Sequence, residues 1–372
     1  MNPLSIRSVV ELCQALVQIP SENPSASMAS QGEEAVAHFV GAFLESIGAK
    51  VEYQKIAPGR PNVYGQWPAP TPDAQRILFA PHLDTVTVEG MTIDPFKGEI
   101  RDGRLYGRGS SDTKGTMAAM LWALKSVDLS RLQVAVGFAG LADEKLTQLG
   151  AKICVERHKA DFVVVGEPTS LDVVYTHKGI AWIEIETEGK SAHASTPATG
   201  VNAIDRMANV LQILKHHFPH ICPVPVDPVL GTATLSTGVI HGGSKINVVP
   251  DRCVAEVDIR ILPGQESMPH AIDKFLREQE ILATVRPLKI SAPLYTDPKH
   301  SFIQKFLALG SKLTGASWFC DAALFATEET PLIAIGPSSI AQAHTSDEFI
   351  EVAELERGAH FFTDFLNSFS NG

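Results

Sequence analysis

The sequence predicts an α/β fold in which a mostly parallel central sheet is interrupted by a smaller α+β domain. Three observations support this prediction. The chain has 372 residues, more than a single compact core usually holds. Short apolar runs alternate with helical patterns between residues 75 and 174, as in a parallel sheet covered by helices. Residues 177–291 instead follow a β-α-β-β-α-β order, which builds a compact, separate unit.

The first part of the chain, residues 1–176, begins with an amphipathic pattern in "VVELCQALV" that predicts a helix. The segments "RILFAPHLDTVTV", "QVAVGFAGLADE" and "ADFVVVGEP" are typical of strands, and "KGTMAAMLWALKSV" and "LGAKICVERH" lie between them as predicted helices. Ligands bind beyond the carboxyl ends of the strands in such sheets. Polar residues follow each of these strands, so we expect the functional site at that edge.

The middle part, residues 177–291, is predicted as the inserted domain. Its strands are "GIAWIEIETEG", "TATLSTGVIHGG", "RCVAEVDIRIL" and "ILATVRPLKI", and its helices are "VNAIDRMANVLQILKHHF" and "HAIDKFLREQE". The last part, residues 292–372, returns to the α/β style with "FIQKFLALGSKLTG", the strand "TPLIAIGP" and the C-terminal helix "EVAELERGAHFFTDFLNSF". The first domain is therefore predicted to be discontinuous in sequence, with the second domain inserted into it.

Composition excludes several classes of partner. The formal net charge of −11 argues against nucleic acid and against an anionic membrane, because both require clustered Lys and Arg. The N-terminus lacks the basic segment and the unbroken apolar run of a signal peptide, and no stretch is apolar enough to span a membrane. Five scattered cysteines without a C-x-x-C motif predict a reduced, cytoplasmic protein.

His82 and Asp84 in "PHLDTV" are the first candidates for chemistry. One residue separates them, so on an extended strand both side chains point to the same face. A metal-bound imidazole is usually fixed by a carboxylate on its other nitrogen, which favours a metal site here. The alternative is a surface His–Asp hydrogen bond.

The glycine-rich turn "LYGRGSSDTKG" contains Asp112. Its Lys-Gly order is wrong for a phosphate-binding P-loop, which requires Gly-Lys-Ser/Thr, so a nucleotide site is not expected. Asp112 either points a carboxylate into a cleft or caps the following helix. Glu167 and His344 follow other predicted strands, and with His82 and Asp112 they form a His/carboxylate set suited to Zn²⁺ or Co²⁺.

Seven motifs occur in a fixed order along nearly the whole chain: "HLDTV", "GRGSSDTKG", "ADEK", "GEPTSL", "SAHASTP", "VDIRILPG" and "AHTSDEF". In this order they resemble the zinc-dependent N-acyl-amino-acid deacylase and carboxypeptidase family, which includes acetylornithine deacetylase and succinyl-diaminopimelate desuccinylase. The segments "GEPTSLDVVYTHKG", "IHGG" and "GPSSIAQAH" are more similar to the acetylornithine deacetylase branch. The resemblance implies a zinc-peptidase-like catalytic domain and a lid that dimerises.

The resemblance also implies the metal ligands and the cofactor. His82, Asp112 and Glu167 would hold one metal ion, and Asp112 would bridge to a second ion that His344 also binds. The expected cofactor is Zn²⁺ or Co²⁺, one or two ions per chain.

Catalytic and substrate-binding roles follow from the same resemblance. Glu144 would be the general base that activates a metal-bound water, and Asp84 would orient His82. His193 would be the lid histidine that stabilises the oxyanion in a neighbouring subunit's site, with an exposed turn histidine as the alternative. Asn247 and Arg260 would hold the substrate, and Arg260 would bind the substrate's α-carboxylate. The alternative for Arg260 is a salt bridge with Asp258 or another neighbouring carboxylate.

The chain departs from the family at Lys145, where the usual Asp-Glu-Glu is Asp143-Glu144-Lys145. An ammonium group has no lone pair for a metal and repels a dication, so the second site should weaken by several kcal/mol. Three interpretations follow. The enzyme works with one metal and Lys145 pairs with Asp112; or the loop shifts and two metals bind; or catalysis is lost and the protein only binds its ligand.

The sequence thus predicts a cytoplasmic, metal-dependent hydrolase that cleaves the amide bond of a small N-acyl amino acid, N-acetylornithine or a close relative. If the substrate is N-acetylornithine, the enzyme is expected to act in arginine biosynthesis. A desuccinylase, another deacylase or a dipeptidase of the same family is the nearer alternative. A catalytically impaired amino-acid-binding homologue is the alternative from another class. A homodimer formed through the lid domain is expected.

Overall fold

The computed structural model of the chain describes residues 3–24, 30–325 and 330–370. The chain divides into two compact units. The first consists of Met1–Tyr175, Thr296–Thr314 and Cys320–Gly372, and the second of Thr176–Tyr295 and Gly315–Phe319. The second unit includes all of the predicted insert, residues 177–291, and adds a few residues on each side and the short segment 315–319.

The strands in the described residues are β1 (Lys50–Ala57), β2 (Arg60–Gln66), β3 (Arg76–Pro81), β4 (Glu99–Arg101), β5 (Arg104–Tyr106), β6 (Ala135–Gly140), β7 (Phe162–Gly166), β8 (Val173–His177), β9 (Gly179–Glu188), β10 (Thr234–Gly242), β11 (Arg252–Ile261), β12 (Thr284–Ser291), β13 (Leu294–Tyr295), β14 (Leu313–Ala316), β15 (Leu332–Ile335) and β16 (Phe349–Glu351). The α-helices are α1 (Val9–Val17), α2 (Glu34–Ser46), α3 (Lys114–Ser126), α4 (Leu149–Arg157), α5 (Ala203–Ile221), α6 (Met268–Glu278), α7 (Ser301–Ala308), α8 (Ala322–Phe325) and α9 (Val352–Asn367). Short 3-10 helices lie at Pro3–Ser5, Leu129–Arg131, Pro197–Thr199 and Ile340–Gln342.

The main sheet has the order β1-β2-β6-β3-β7-β15-β8. Its centre, β6-β3-β7-β15, is parallel, and every residue of β6, β7 and β15 is buried. Fully apolar strands of this kind require cover on both faces. The predicted parallel α/β sheet is confirmed, whereas the antiparallel hairpin β1–β2 and the antiparallel β8 at its margins were not predicted.

Helices α1, α3 and α9 pack together over one face of this sheet. Helix α3 is rich in Ala, Met and Leu, which favour helix, and ten of its residues are buried. The aromatic face of α9 reaches the sheet where Phe362 packs edge-on against Phe79 of β3, with ring centroids 5.6 Å apart. This core holds β3 and the start of α3 firmly, and both carry candidate site residues.

The second unit contains an antiparallel sheet of order β10-β11-β9-β12. Alternate residues of β9 and β11 are buried, and helices α5 and α6 cover that face with Met207, Leu214 and Ile272. The sequence order is β9-α5-β10-β11-α6-β12, so the predicted β-α-β-β-α-β pattern is confirmed. None of the helices in the described residues is long and apolar enough to cross a membrane.

Candidate metal centre and active site

His82, Asp112 and Glu167 form a buried cluster in the first unit. One ligand atom of each lies within 4.8 Å of the others, and each residue is at most 4% exposed. Nε2 of His82 is 2.9 Å from Oδ1 of Asp112. One imidazole and two carboxylates at this separation match the donor set that Zn²⁺ and Co²⁺ prefer, so these residues fit the metal ion that the motifs imply.

The register of the sheet places two of these residues side by side. Pro81, the last residue of β3, pairs with Gly166, the last residue of β7, and the strands are parallel. His82 and Glu167 are the next residues of the two strands, so they leave the same edge of the sheet together. Asp112 comes from the turn before α3. It does not cap that helix, because Thr113 occupies the N-cap position, which rules out the capping alternative.

The turn that carries Asp112 is held by Glu348, a residue that the sequence analysis missed. Oε1 of Glu348 accepts the backbone N–H groups of Ser111 and Asp112, both at 2.9 Å. Oε2 accepts the N–H of Gly109 at 3.0 Å and Nη1 of Arg108 at 2.7 Å. Glu348 is fully buried, so one carboxylate fixes the whole turn. Glu348 lies in the motif "AHTSDEF", four residues after His344, and this position was the signal that the sequence offered.

The second oxygen of Asp112 faces two other groups. Nζ of Lys145 donates to Oδ2 of Asp112 at 2.8 Å, and Nε2 of His344 is 3.0 Å from the same oxygen. Nζ of Lys145 is also 3.0 Å from Oε2 of Glu144. Lys145 therefore points into the centre and joins the predicted base to the predicted bridging ligand. The side chain of His344 is 55% exposed, unlike the other members of the cluster.

Asp84 contacts His82 differently from the arrangement that the resemblance implies. Nδ1 of His82 lies 2.8 Å from the backbone carbonyl of Asp84 but 3.7 Å from its carboxylate. The carboxylate instead accepts the backbone N–H groups of Glu144 and Lys145, each at 3.0 Å, and the side-chain amide of Asn23 at 2.9 Å. Asp84 is thus positioned to fix the loop that carries the predicted base.

A buried ion network supports the other side of that loop. Oδ1 of Asp143 accepts Nη2 of Arg60 at 2.9 Å and the amide of Asn23 at 3.0 Å. Arg60 also donates to both oxygens of Glu33, at 2.9 and 2.6 Å. Asp143 has a positive φ of 68°, which its hydrogen bonds with Thr147 and Asn23 help to stabilise. The sequence did not indicate these partners, because Asn23, Glu33 and Arg60 are distant from Asp143 in the chain.

Charges in the cluster shift its pKa values strongly. Burial and the Lys145 ammonium lower the pKa of His82, but the hydrogen bond and charge of Asp112 outweigh them and raise it to about 10. Burial raises the pKa of Glu167 to about 8. Burial also acts to raise the pKa of Asp112, yet the Lys145 charge and the two histidines hold it well below its usual range. Such a group of buried carboxylates is stabilised by a bound cation.

Asp321 is a further buried carboxyl that the sequence did not indicate. It is 1% exposed, and neither carboxyl oxygen has a hydrogen-bond partner within the part of the chain that the structure describes. Burial and the charges of Glu144 and Asp84 raise the pKa of Asp321 well above its usual range.

The three predicted substrate residues lie in the second unit. His193 is exposed in the loop after β9, with Nδ1 2.7 Å from the hydroxyl of Ser195. Asn247 is exposed, and its backbone carbonyl accepts the backbone N–H of Ala194. Arg260 on β11 donates to both oxygens of Asp258, at 2.9 and 3.2 Å. Their roles toward substrate stay predictions.

Comparison with known proteins identifies the family. The model of peptidase family M20/M25/M40 matches residues 78–368, which cover both units. The chain belongs to this family, and it is a hydrolase of the type that acts on amide bonds. The family and the branch that the motifs suggested are thereby confirmed.

Individual relatives agree with this assignment. The chain is 33% identical over 370 residues to an acetylornithine deacetylase of Erwinia tasmaniensis, covering 93% of this chain and 94% of the relative. Its fold is similar to that of an M20 metallo-carboxypeptidase from Sulfolobus solfataricus, with a TM-score of 0.77, 18% identity and coverage of 97% and 99%. It is also similar to a dinuclear metal-binding M20 peptidase from Bacillus subtilis, with a TM-score of 0.69, 14% identity and 96% coverage of both chains.

Proposed function

We propose that this chain is a metal-dependent deacylase that hydrolyses the amide bond of a small N-acyl amino acid, N-acetylornithine or a close relative. The observation that carries the proposal is the buried cluster of His82, Asp112 and Glu167 with the carboxylate of Glu144 beside it. The similarity to an acetylornithine deacetylase over most of both chains supports the acyl group and the amino acid. A role in arginine biosynthesis belongs to this same proposal.

His82, Asp112 and Glu167 would hold the metal ion, Zn²⁺ or Co²⁺. When bound, such an ion acidifies a water molecule and polarises the carbonyl of the amide. The remaining chemistry belongs to side chains. Because a neutral imidazole is the metal ligand, loading the site requires that His82 release its proton, and binding is therefore favoured by higher pH.

Glu144 is the proposed general base. Its carboxylate takes a proton from the attacking water, the water oxygen bonds to the carbonyl carbon, and Glu144 then delivers that proton to the amide nitrogen. The C–N bond breaks, and the products are a carboxylate and a free amine. Asp84 keeps Glu144 in place, because the N–H of Glu144 donates to its carboxylate.

Substrate recognition is proposed for the second unit. Arg260 presents a planar fork that suits an α-carboxylate, and it would exchange its pairing with Asp258 for the substrate. Asn247 would contribute a polar contact, and His193 would stabilise the oxyanion from a neighbouring subunit. Each of these side chains is exposed or half-exposed.

A homodimer through the second unit is part of the proposal. Strand β10 is an edge of its sheet and is exposed along nearly its whole length. Val239 and Ile240 on this strand are 39% and 50% exposed, and Ile246 just beyond it is fully exposed. An apolar exposed edge of this kind favours pairing with a second copy. The proposed location is the cytoplasm, and the five cysteines are free thiols in the structure.

The test is a hydrolysis assay with protein loaded with Zn²⁺, Co²⁺ or Mn²⁺. The substrates are N-acetyl and N-succinyl amino acids, including N-acetylornithine, and a set of dipeptides, with release of the free amine measured. We expect the highest kcat/KM for N-acetylornithine. Faster cleavage of succinyl substrates or of dipeptides would favour the alternative family activities. No turnover with any metal or substrate would contradict an enzyme and leave a binding homologue.

A further inference from the structure

The two oxygens of Asp112 face different partners. Oδ1 lies 2.9 Å from Nε2 of His82, on the side of the three-residue cluster. Oδ2 lies 2.8 Å from Nζ of Lys145 and 3.0 Å from Nε2 of His344. A carboxylate that bridges two metal ions must offer one oxygen to each. In this chain the second oxygen already accepts the ammonium.

Lys145 is built into this position. Its side chain is 11% exposed and its Nζ contacts two buried carboxylates, of Asp112 at 2.8 Å and of Glu144 at 3.0 Å. Its backbone N–H is held by Asp84 at 3.0 Å. Two carboxylate oxygens within 3.0 Å of Nζ therefore pair with this ammonium on the far side of Asp112.

The ammonium is incompatible with a metal ion at the same place. It has three N–H donors and no lone pair, so it cannot be a ligand, and it repels a dication. Four carboxylates lie in or against the cluster, those of Asp84, Asp112, Glu144 and Glu167. The Lys145 ammonium and one divalent ion compensate three of these four negative charges. A second divalent ion beside the ammonium would reverse the balance to a buried excess of positive charge, which is strongly disfavoured.

We infer that the centre holds a single divalent cation, at His82, Asp112 and Glu167, and that the ammonium of Lys145 stands where dinuclear relatives hold a second ion. This inference rests on the proposed metal-dependent function and deepens it. His344 is then a positioning residue, which holds Oδ2 of Asp112 by a hydrogen bond, and not a metal ligand. The dinuclear peptidase from Bacillus subtilis with the same fold supplies the contrast.

The experiment counts metal ions. Protein stripped with a chelator is incubated with excess ZnCl₂, passed over a desalting column and analysed for zinc and protein. We expect one zinc per chain for the unaltered protein and two for Lys145→Glu, which restores a carboxylate ligand and removes the ammonium. Lys50→Glu, at an exposed residue at the start of β1, makes the same change of charge away from the site. It should keep one zinc.

Two zinc ions in the unaltered protein would overturn the inference, as would a single zinc in a folded Lys145→Glu protein. Circular dichroism establishes whether that variant is folded. If it is not, the count for the unaltered protein decides alone. The hydrolysis assay separates this inference from the proposed function. One bound zinc without turnover contradicts the function only, two zinc ions with turnover contradict the inference only, and no bound zinc contradicts both.

Discussion

Arg60 pairs with two buried carboxylates that support the loop of Glu144, and its removal provides a quantitative test of that network. The side chains of Glu33 and Asp143 are 0% and 2% exposed, and that of Arg60 is 13% exposed. Arg60 makes three hydrogen bonds to them, at 2.6 to 2.9 Å. Substitution Arg60→Ala leaves both carboxylates without their cation in a site that water cannot readily fill.

The size of the effect follows from the burial. Breaking a buried ion pair by removing one partner costs about 3–5 kcal/mol, because the remaining charge is uncompensated. We therefore expect Arg60→Ala to lower the free energy of unfolding by about 4 kcal/mol at neutral pH. The loss should shrink in acid. Burial acts to raise the pKa of Asp143, but hydrogen bonds from Thr147, Asn23 and Arg60 lower it overall, so without Arg60 the Asp143 carboxylate takes up a proton more readily.

Urea unfolding followed by circular dichroism, at neutral and at acidic pH, measures both effects. Arg157→Ala is the matched control, because Arg157 pairs with Glu52 at 3.7 Å on the surface, with side chains 62% and 51% exposed. Such a pair contributes about 0–1 kcal/mol. Equal losses for the two variants, or an Arg60→Ala loss that does not change with pH, would refute the reasoning.

Three further predictions concern the base, the turn and the second unit. Glu144→Gln should lower kcat by at least ~10²-fold while zinc content stays unchanged, since the amide cannot accept the proton; parallel loss of zinc would contradict its role as base. Glu348→Gln should weaken zinc affinity by roughly 10–100-fold, because its amide cannot accept both pairs of N–H donors; unchanged affinity in a metal titration would rule this out. Burial lowers the pKa of His177 from 6.5 to about 4, so the contribution of this histidine to stability is constant above pH 6.5, falls as pH drops from 6.5 to 4, and then levels off. The loss is about 3 kcal/mol, and urea unfolding of His177→Phe should lack this slope; an unchanged slope would assign it elsewhere.

The sequence predicted those parts of the fold that depend on local pattern. The buried strands β6, β7 and β15 are unbroken apolar runs, and their parallel order follows from the helices between them. The hairpin β1–β2 was missed because only one residue of β1 is buried, the polar Gln54, so the strand has no apolar pattern. Strand β8 was not predicted, and its antiparallel pairing with β15 depends on a chain reversal that no motif marks.

In the candidate site too, the residues that follow a local sequence pattern could be predicted and the others could not. His82 and Glu167 could be placed because both follow strands that end at one edge of a parallel sheet. The roles of Glu348 and Arg60 could not be predicted, because their contacts join residues far apart in the chain. Asp321 could not be placed either, because its carboxyl oxygens have no hydrogen-bond partner in the described residues and no motif marks it. The direction of Lys145 was also open in the sequence, where two orientations were equally compatible with the motif. Its contacts with Asp112 and Glu144 distinguish between them.

Asp84 holds the loop of Glu144 and Lys145 through main-chain N–H groups and not through side chains. Every amino acid except proline has such an N–H, so the loop keeps its path whatever side chain residue 145 carries. A change of charge at residue 145 therefore keeps the main-chain position of the neighbouring Glu144, the proposed base, and alters only the contact with its carboxylate. On the inference of a single ion, one codon determines how many metal ions the centre holds, while the backbone of the loop stays the same.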